Sequence, residues 1–119
     1  MRKLLLSIAL LWAAPSWAAT CKISEYANLV MDEAQRIVPV AVEPAVTTQN
    51  ITYTSSTQSA AFNASTRFIR IVCDAKAHYV FGANPTATAA APYLATDTAE
   101  YFGVARGASL EVAFYDGST

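Results

Sequence analysis

Apolar and polar residues alternate along this chain far more often than they follow helical spacing. In "TRFIRIVCD" (66–74) and "AHYVFG" (77–82), β-branched and aromatic residues fill two runs on either side of the polar corner Asp74-Ala75-Lys76. Two such runs joined by a short polar corner are typical of an antiparallel hairpin. We therefore predict paired strands over residues 67 to 81.

The register of this hairpin follows from its corner. If Cys73 lies opposite His78, then Ile71 lies opposite Val80 and the core face carries Ile69, Ile71, Cys73 and Val80. The other face is still largely apolar, so we expect another sheet or another subunit to cover it. The candidate interface residues on that face are Phe68, Arg70, Tyr79 and Phe81.

A second hairpin is predicted from "AEYFGV" (99–104) and "SLEVAFYDG" (109–117). Leu110, Val112 and Phe114 alternate with more polar or smaller residues, which indicates one buried side. Gly107 lies in the connecting turn and supplies the positive φ that such a turn often requires.

The remaining segments give weaker signals. Residues 37–42 and 50–56 are strand candidates, and Pro39 confines the first of them to an edge. Residues 22–36 fit either a short helix capped by Ser24 or a strand that turns near Asp32. The Ala-, Thr- and Pro-rich segment 83–98 is predicted to be an ordered surface loop that crosses between sheets.

These elements predict an all-β fold, a small antiparallel β-sandwich or jelly roll. About 100 residues remain after the N-terminal segment, which suits one domain with one core. We therefore expect a single domain over residues 19–119.

Residues 1–18 have the pattern of a secretory leader. Arg2 and Lys3 precede an apolar stretch, and "SWA" (16–18) places small residues where signal peptidase cleaves. The apolar stretch has about 11 residues, short of the roughly 20 that a membrane-spanning helix needs. We therefore expect no stable membrane anchor once the leader is removed.

Removal of this leader makes the protein more acidic. The full chain has 8 Lys+Arg and 9 Asp+Glu; without Arg2 and Lys3 the balance is 6 against 9, a net charge of −3. A surface that binds the phosphate backbone of a nucleic acid needs a concentrated basic patch. The composition therefore argues against nucleic acid as a partner.

The two cysteines, Cys21 and Cys73, both lie after the leader. In an oxidising compartment an even cysteine count suggests a bridge, here a possible disulfide between these two residues. If the protein matures in a reducing cytosol, two buried thiols are the better interpretation.

The chain contains no motif for catalysis or for a cofactor. His78 is the only histidine, and a Cys73–His78 pair could in principle supply a nucleophile and its base, but no glycine-rich oxyanion turn accompanies it. One His and two Cys cannot complete a four-ligand zinc site without a carboxylate such as Asp74. We expect no enzyme, no cofactor and no metal site.

The order of several short motifs resembles a group of small proteins encoded in the structural-gene regions of tailed bacteriophages and prophages. The motifs are "EPA" (43–45), "TSSTQSAAFN" (54–63), "RFIRI" (67–71), "AHYVFGANPTAT" (77–88) and "EYFGV" (100–104), within residues 23 to 115. The resemblance implies a β-sandwich that decorates or completes a virion, and favours the strand over the helix for residues 22–36. It brings no catalytic residues with it.

Two functions follow from these observations. The first is a virion-associated structural protein, a capsid decoration or a head or tail accessory protein, which contacts other virion subunits or further copies of itself. The second is an exported periplasmic or extracellular module that binds a surface glycan or protein through the 83–98 loop, with Tyr93 as the loop contact. The leader favours export, whereas phage particles assemble in the cytosol.

Overall fold

The computed structural model describes residues 18–118, which form an all-β domain of ten strands. This confirms the predicted fold class. The predicted leader lies outside the described residues except for Ala18. The strands are β1 (Ala19–Tyr26), β2 (Leu29–Met31), β3 (Ile37–Ala41), β4 (Thr47–Tyr53), β5 (Thr57–Gln58), β6 (Phe68–Cys73), β7 (Ala77–Gly82), β8 (Tyr93–Leu94), β9 (Glu100–Gly103) and β10 (Glu111–Tyr115).

Two four-stranded antiparallel sheets form the sandwich. The first sheet has the order β4-β1-β6-β9 and the second has the order β5-β10-β7-β8. β2 and β3 pair only with each other. Among residues 18–118 no helix has the length and apolar character to cross a membrane.

The core lies between the two sheets and follows period-two burial. On β6 the odd-numbered residues Ile69, Ile71 and Cys73 are fully buried, as the alternation predicts, and on β10 Val112 and Phe114 are fully buried. Ala113, which the alternation predicts to face solvent, is also fully buried, so β10 departs from strict alternation. Burial of such side chains contributes about 1.5–3 kcal/mol each to folding. The other members of the buried cluster are Cys21, Ile23, Tyr53, Phe62, Ala77 and Leu94.

Both predicted hairpins are wrong in their pairing, although all four of their strands exist. β6 pairs with β1 and β9, whereas β7 pairs with β10 and β8, so residues 74–76 cross from one sheet to the other. β9 and β10 likewise belong to different sheets. Period-two alternation is the same for a hairpin and for an arch between sheets, so it could not separate the two.

The arch changes which side of β7 is buried. Tyr79 and Phe81 lie opposite the core residues Phe114 and Val112 and pack against the core, whereas Val80 is on the other side and half-buried. A hairpin would have buried Val80 and left the two aromatic rings outside. In the arch the rings of Tyr79 and Phe81 pack against the core, and the apolar contact of these two rings stabilises this arrangement.

Hydrogen bonds hold the arch in place. The Asp74 side chain accepts from the Thr20 backbone N–H at 2.8 Å. The buried Tyr53 hydroxyl lies 3.1 Å from the carbonyl of Ala75 and 3.2 Å from that of Lys76, and donates to them. Burial, and then the charges of Asp74 and Asp116, raise the pKa of Tyr53 to about 12.

The weaker predictions have definite outcomes. The ambiguous segment 22–36 forms strands β1 and β2 with a turn after Asp32, so the helix alternative is wrong. The segment 83–98 crosses from the second sheet to the first, as predicted, and contains the short strand β8. Gly107 has the predicted positive φ, 72°.

Candidate functional site

Between β1 and β4 the chain forms a separate hairpin, residues 29–41, which we call the arm. Its turn is closed at Asp32, whose carboxylate accepts from the Arg36 backbone N–H at 2.8 Å and from the Arg36 Nε at 2.9 Å. The Asp32 backbone N–H donates to the Arg36 carbonyl at 2.9 Å, and Gln35 takes the left-handed conformation with φ 59°. The arm therefore ends in a closed turn.

Large apolar side chains are concentrated on and beside the arm. Met31 is 60% exposed and Ile37 is 66% exposed. Single exposed apolar residues are ordinary, but a contiguous group of them marks an interaction surface. Six of the eight large hydrophobic residues exposed in the described part of the chain lie between positions 30 and 46: Val30, Met31, Ile37, Val40, Val42 and Val46.

Two clefts separate the arm from the outer face of the first sheet. The larger has a volume of about 340 Å³ and is lined by Tyr26, Val40, Ala41, Glu43, Arg70 and Tyr101. The smaller, about 250 Å³, is lined by Ala27, Asn28, Leu29, Met31, Ile37, Arg67, Phe68 and Gly103. Each cleft is thus lined both by residues of the arm and by residues of the first sheet.

A hydrogen bond ties the base of the arm to the sandwich. The Tyr26 hydroxyl donates to Glu43 Oε1 at 2.9 Å. Burial and the neighbouring Glu43 carboxylate raise the pKa of Tyr26. Arg70 lines the same cleft as Glu43, so the cleft carries both signs of charge beside the apolar surface of Val40.

The four candidate interface residues do not lie on one surface. Phe68 and Arg70 line the clefts under the arm, and the Phe68 ring stacks on Tyr101 with centroids 5.4 Å apart. Tyr79 and Phe81 lie between the sheets instead, with centroids 5.3 Å and 5.1 Å from that of Phe102. The structure separates these pairs because β6 and β7 belong to different sheets.

Tyr93, the predicted loop contact, lies on the outer face of the second sheet and is 56% exposed. The Lys76 Nζ lies 4.2 Å from the centroid of its ring, a cation–π contact. His78 on β7 lies directly opposite Tyr93 on β8, and His78 Nδ1 lies 2.8 Å from the Ala91 carbonyl oxygen. Lys76, His78 and Tyr93 form a small mixed patch, which we call the Tyr93 patch.

The two cysteines are joined. Cys21 on β1 and Cys73 on β6 are Cα partners 4.0 Å apart, and their sulfur atoms form a disulfide. The thiol of Cys73 is therefore not available to His78, which belongs to the other sheet. Within residues 18–118 no group of three or more His, Cys, Asp or Glu side chains is placed to hold a metal ion.

Glu25 is a buried polar residue that the sequence analysis did not single out. Its side chain is fully buried at the inner face of β1, and Oε1 accepts from the Asn63 backbone N–H at 2.8 Å and from Thr66 Oγ1 at 2.9 Å. Oε2 accepts from Gln49 Nε2 at 3.1 Å. Alternation along β1 places Glu25 on the same face as the buried residues Cys21 and Ile23. A carboxylate buried there needs hydrogen-bond donors, and this was the sequence feature that could have identified it.

No known protein family, curated protein or solved structure matches the chain.

Proposed function

We propose that this protein is a virion-associated structural protein of a tailed phage or prophage, which acts through protein–protein contacts made by the arm. The observation that carries the proposal is the cluster of exposed apolar side chains at residues 30–46. A hairpin that projects apolar side chains next to a sheet face is suited to insertion against another subunit.

The shape of the site supports a protein partner over a small ligand. The clefts lie between an apolar hairpin and a sheet face, so a partner would cover the arm and the cleft rims around Phe68 and Tyr101 together. A stable protein contact buries roughly 800 Å² on each side. The motif order described above, which resembles phage structural-region proteins, supports a virion as the place of this contact.

The test compares incorporation into particles. Met31→Ser combined with Ile37→Ser removes the two most exposed apolar side chains of the arm without touching the sandwich core. Tyr93→Ser is the control, because Tyr93 is also an exposed apolar side chain, at 56%, but lies on the other sheet. We expect particles purified from the producing host to contain the wild-type and Tyr93→Ser proteins and to lack the arm variant.

The same experiment can overturn the proposal. Circular dichroism of each purified variant first establishes that it is folded. If the folded arm variant enters particles at the wild-type ratio, the arm is not the contact. If the wild-type protein is missing from particles, the virion role is wrong.

A second candidate function is an exported binding module, which the Cys21–Cys73 disulfide favours because such bonds persist in oxidising compartments. In that case the Tyr93 patch is the contact surface. Its exposed Tyr93 ring and the neighbouring Lys76 ammonium group would contact the surface glycan or protein. Mass spectrometry of the expressed protein separates the two candidates. A product that begins at Ala19 with the bond formed supports export; an intact Met1 with free thiols contradicts it.

A further inference from the structure

β4 is an unprotected edge of the first sheet. It runs for seven residues, Thr47–Tyr53, without a charged residue or a proline, and pairs with β1 in unbroken register. Sheet edges are normally shortened, charged, bent or covered, because their free backbone groups can pair with another chain. The other sandwich edges follow this rule: β5 and β8 have two residues each, and β9 has four and carries Glu100.

The backbone pattern shows which groups of β4 face outward. Cys21 and Cys73 are 4.0 Å apart at Cα, and the Asp74 N–H donates to the Thr20 carbonyl at 3.0 Å. Both features identify Cys21–Cys73 as a non-hydrogen-bonded pair. The backbone groups of Cys21 therefore face β4, where its partner is Ile51.

The same alternation continues along β4. Odd-numbered residues of β4 exchange hydrogen bonds with β1, which leaves the N–H and C=O groups of the even-numbered residues pointing away from the sheet. Within residues 18–118 no other backbone–backbone hydrogen bond involves these outward groups. The outward residues are Thr48, Asn50 and Thr52.

We propose that this edge binds β4 of a second copy of the chain, antiparallel and centred on Asn50. This register places Asn50 opposite Asn50 and Thr48 of each copy opposite Thr52 of the other. Three hydrogen-bonded pairs with two bonds each give about six intermolecular backbone hydrogen bonds. The two first sheets join into one continuous sheet across the two-fold axis.

The side chains suit this pairing. Thr48, Asn50 and Thr52 are all exposed on the outer face of the sheet, and hydroxyl and amide groups opposite one another are compatible cross-strand neighbours. No charge is brought opposite a like charge in β4 itself. The opposite edge, β9, is shorter and carries Glu100, whereas β4 has seven residues and no charge, which favours β4 as the self-pairing edge.

The inference goes beyond the proposed function and does not depend on it. The arm lies beside β6 and β9, whereas β4 is the opposite edge of the same sheet. The arm variant used above leaves β4 intact, and β4 variants leave the arm intact. Either proposal can therefore fail while the other holds.

Sedimentation velocity of the purified full chain over a concentration series tests the pairing. Asn50→Pro removes an outward N–H but no bond to β1, whereas Asn50→Ser keeps that N–H and is the matched control. We expect the wild type and Asn50→Ser to dimerise and Asn50→Pro to dimerise at least about tenfold more weakly. A wild type that stays monomeric up to about 1 mM, or a folded Asn50→Pro variant that dimerises as the wild type does, would overturn the proposal.

Charged substitutions at Thr48 and Thr52 test the Asn50-centred register without introducing a proline. Thr48→Lys with Thr52→Lys places like charges opposite one another, so this protein should be monomeric at low salt. The same holds for Thr48→Glu with Thr52→Glu. Mixing the two should restore a dimer, in which each lysine faces a glutamate. If the mixture stays monomeric while the wild type dimerises, the Asn50-centred register is wrong.

Discussion

Glu25 offers the sharpest test of the packing described above. Its carboxylate is fully buried and accepts three hydrogen bonds, from Asn63, Thr66 and Gln49. It thereby joins three separate segments, β1, β4 and the 59–67 loop, at one end of the sandwich. The perturbation is Glu25→Gln, which keeps the shape of the side chain and removes its charge.

The expected loss follows from the hydrogen bonds of Gln49. Gln49 Oε1 accepts from the Ala60 N–H at 2.9 Å, and Nε2 donates to the Ala60 carbonyl at 3.3 Å, so the Gln49 amide cannot turn over without losing these bonds. The new amide N–H₂ at position 25 would therefore face the Gln49 N–H₂, donor against donor. One lost bond to a charged group, plus an unsatisfied buried donor, amounts to about 3 kcal/mol.

Urea denaturation followed by circular dichroism measures this loss. Glu25→Gln should unfold with a free energy about 3 kcal/mol lower than the wild type, and Glu25→Ala with one about 4 kcal/mol lower, because it also leaves a cavity. Glu33→Gln, on the exposed arm turn, is the control and should change stability by less than about 0.5 kcal/mol.

A double-mutant cycle isolates the donor–donor conflict. In a Gln49→Leu background the opposing donor is gone, so Glu25→Gln should cost about 1–2 kcal/mol less than in the wild type. Equal losses in both backgrounds, or a Glu25→Gln variant as stable as the wild type, would refute this account of the buried carboxylate.

Three further predictions concern the covalent link, one glycine and one tyrosine. Replacing both cysteines by alanine opens a loop of 52 residues and should lower the free energy of unfolding by about 4 kcal/mol in the chain-entropy treatment, measured by urea denaturation against the oxidised wild type. Gly117→Ala should lower the free energy of unfolding by about 2 kcal/mol in thermal melts, because φ is 84° and the new Cβ would lie 2.9 Å from His78 Nε2. Gly107→Ala is the control: φ is 72° but the space around it is open, so it should lower the free energy of unfolding by only about 1 kcal/mol. The pKa of Tyr53 is about 12 in the folded protein and 10.0 when the side chain is exposed. The stabilisation from its protonated hydroxyl should therefore be complete below pH 10.0 and be lost as the pH rises towards about 12. A Tyr53→Phe variant should not show this loss in denaturation curves measured across that pH range.

The sequence predicted strands well and pairings poorly, and β6 and β7 show why. Alternation in "FIRIVC" identifies Ile69, Ile71 and Cys73 as buried, because that depends only on neighbours within the strand. Whether residues 74–76 turn within a sheet or cross between sheets depends on distant residues, here Thr20 and Tyr53, which bond to the corner. No local pattern contains that information.

The candidate site was missed in part for the same reason. Alternation with buried residues predicts that Phe68 and Arg70 face outward, and they line the clefts beneath the arm. Tyr79 and Phe81 share that surface only in the predicted hairpin register, whereas β7 pairs with β10 and β8. The arm itself was readable as two apolar runs around Asp32 and Arg36, but its exposure depends on β2 and β3 pairing with neither sheet.

The position of the arm relative to β4 links the two proposals. The arm covers the side of the first sheet near β9, and self-pairing uses the opposite edge, so a dimer formed through β4 leaves both arms uncovered. Such a dimer presents two apolar hairpins on one continuous sheet. If the arm binds a repetitive virion surface as proposed, the two arms of the dimer act together, because the second contact forms at the high effective concentration that the first creates. A β4 variant that stays monomeric should therefore bind such a surface more weakly than the wild type even though its arm is unchanged.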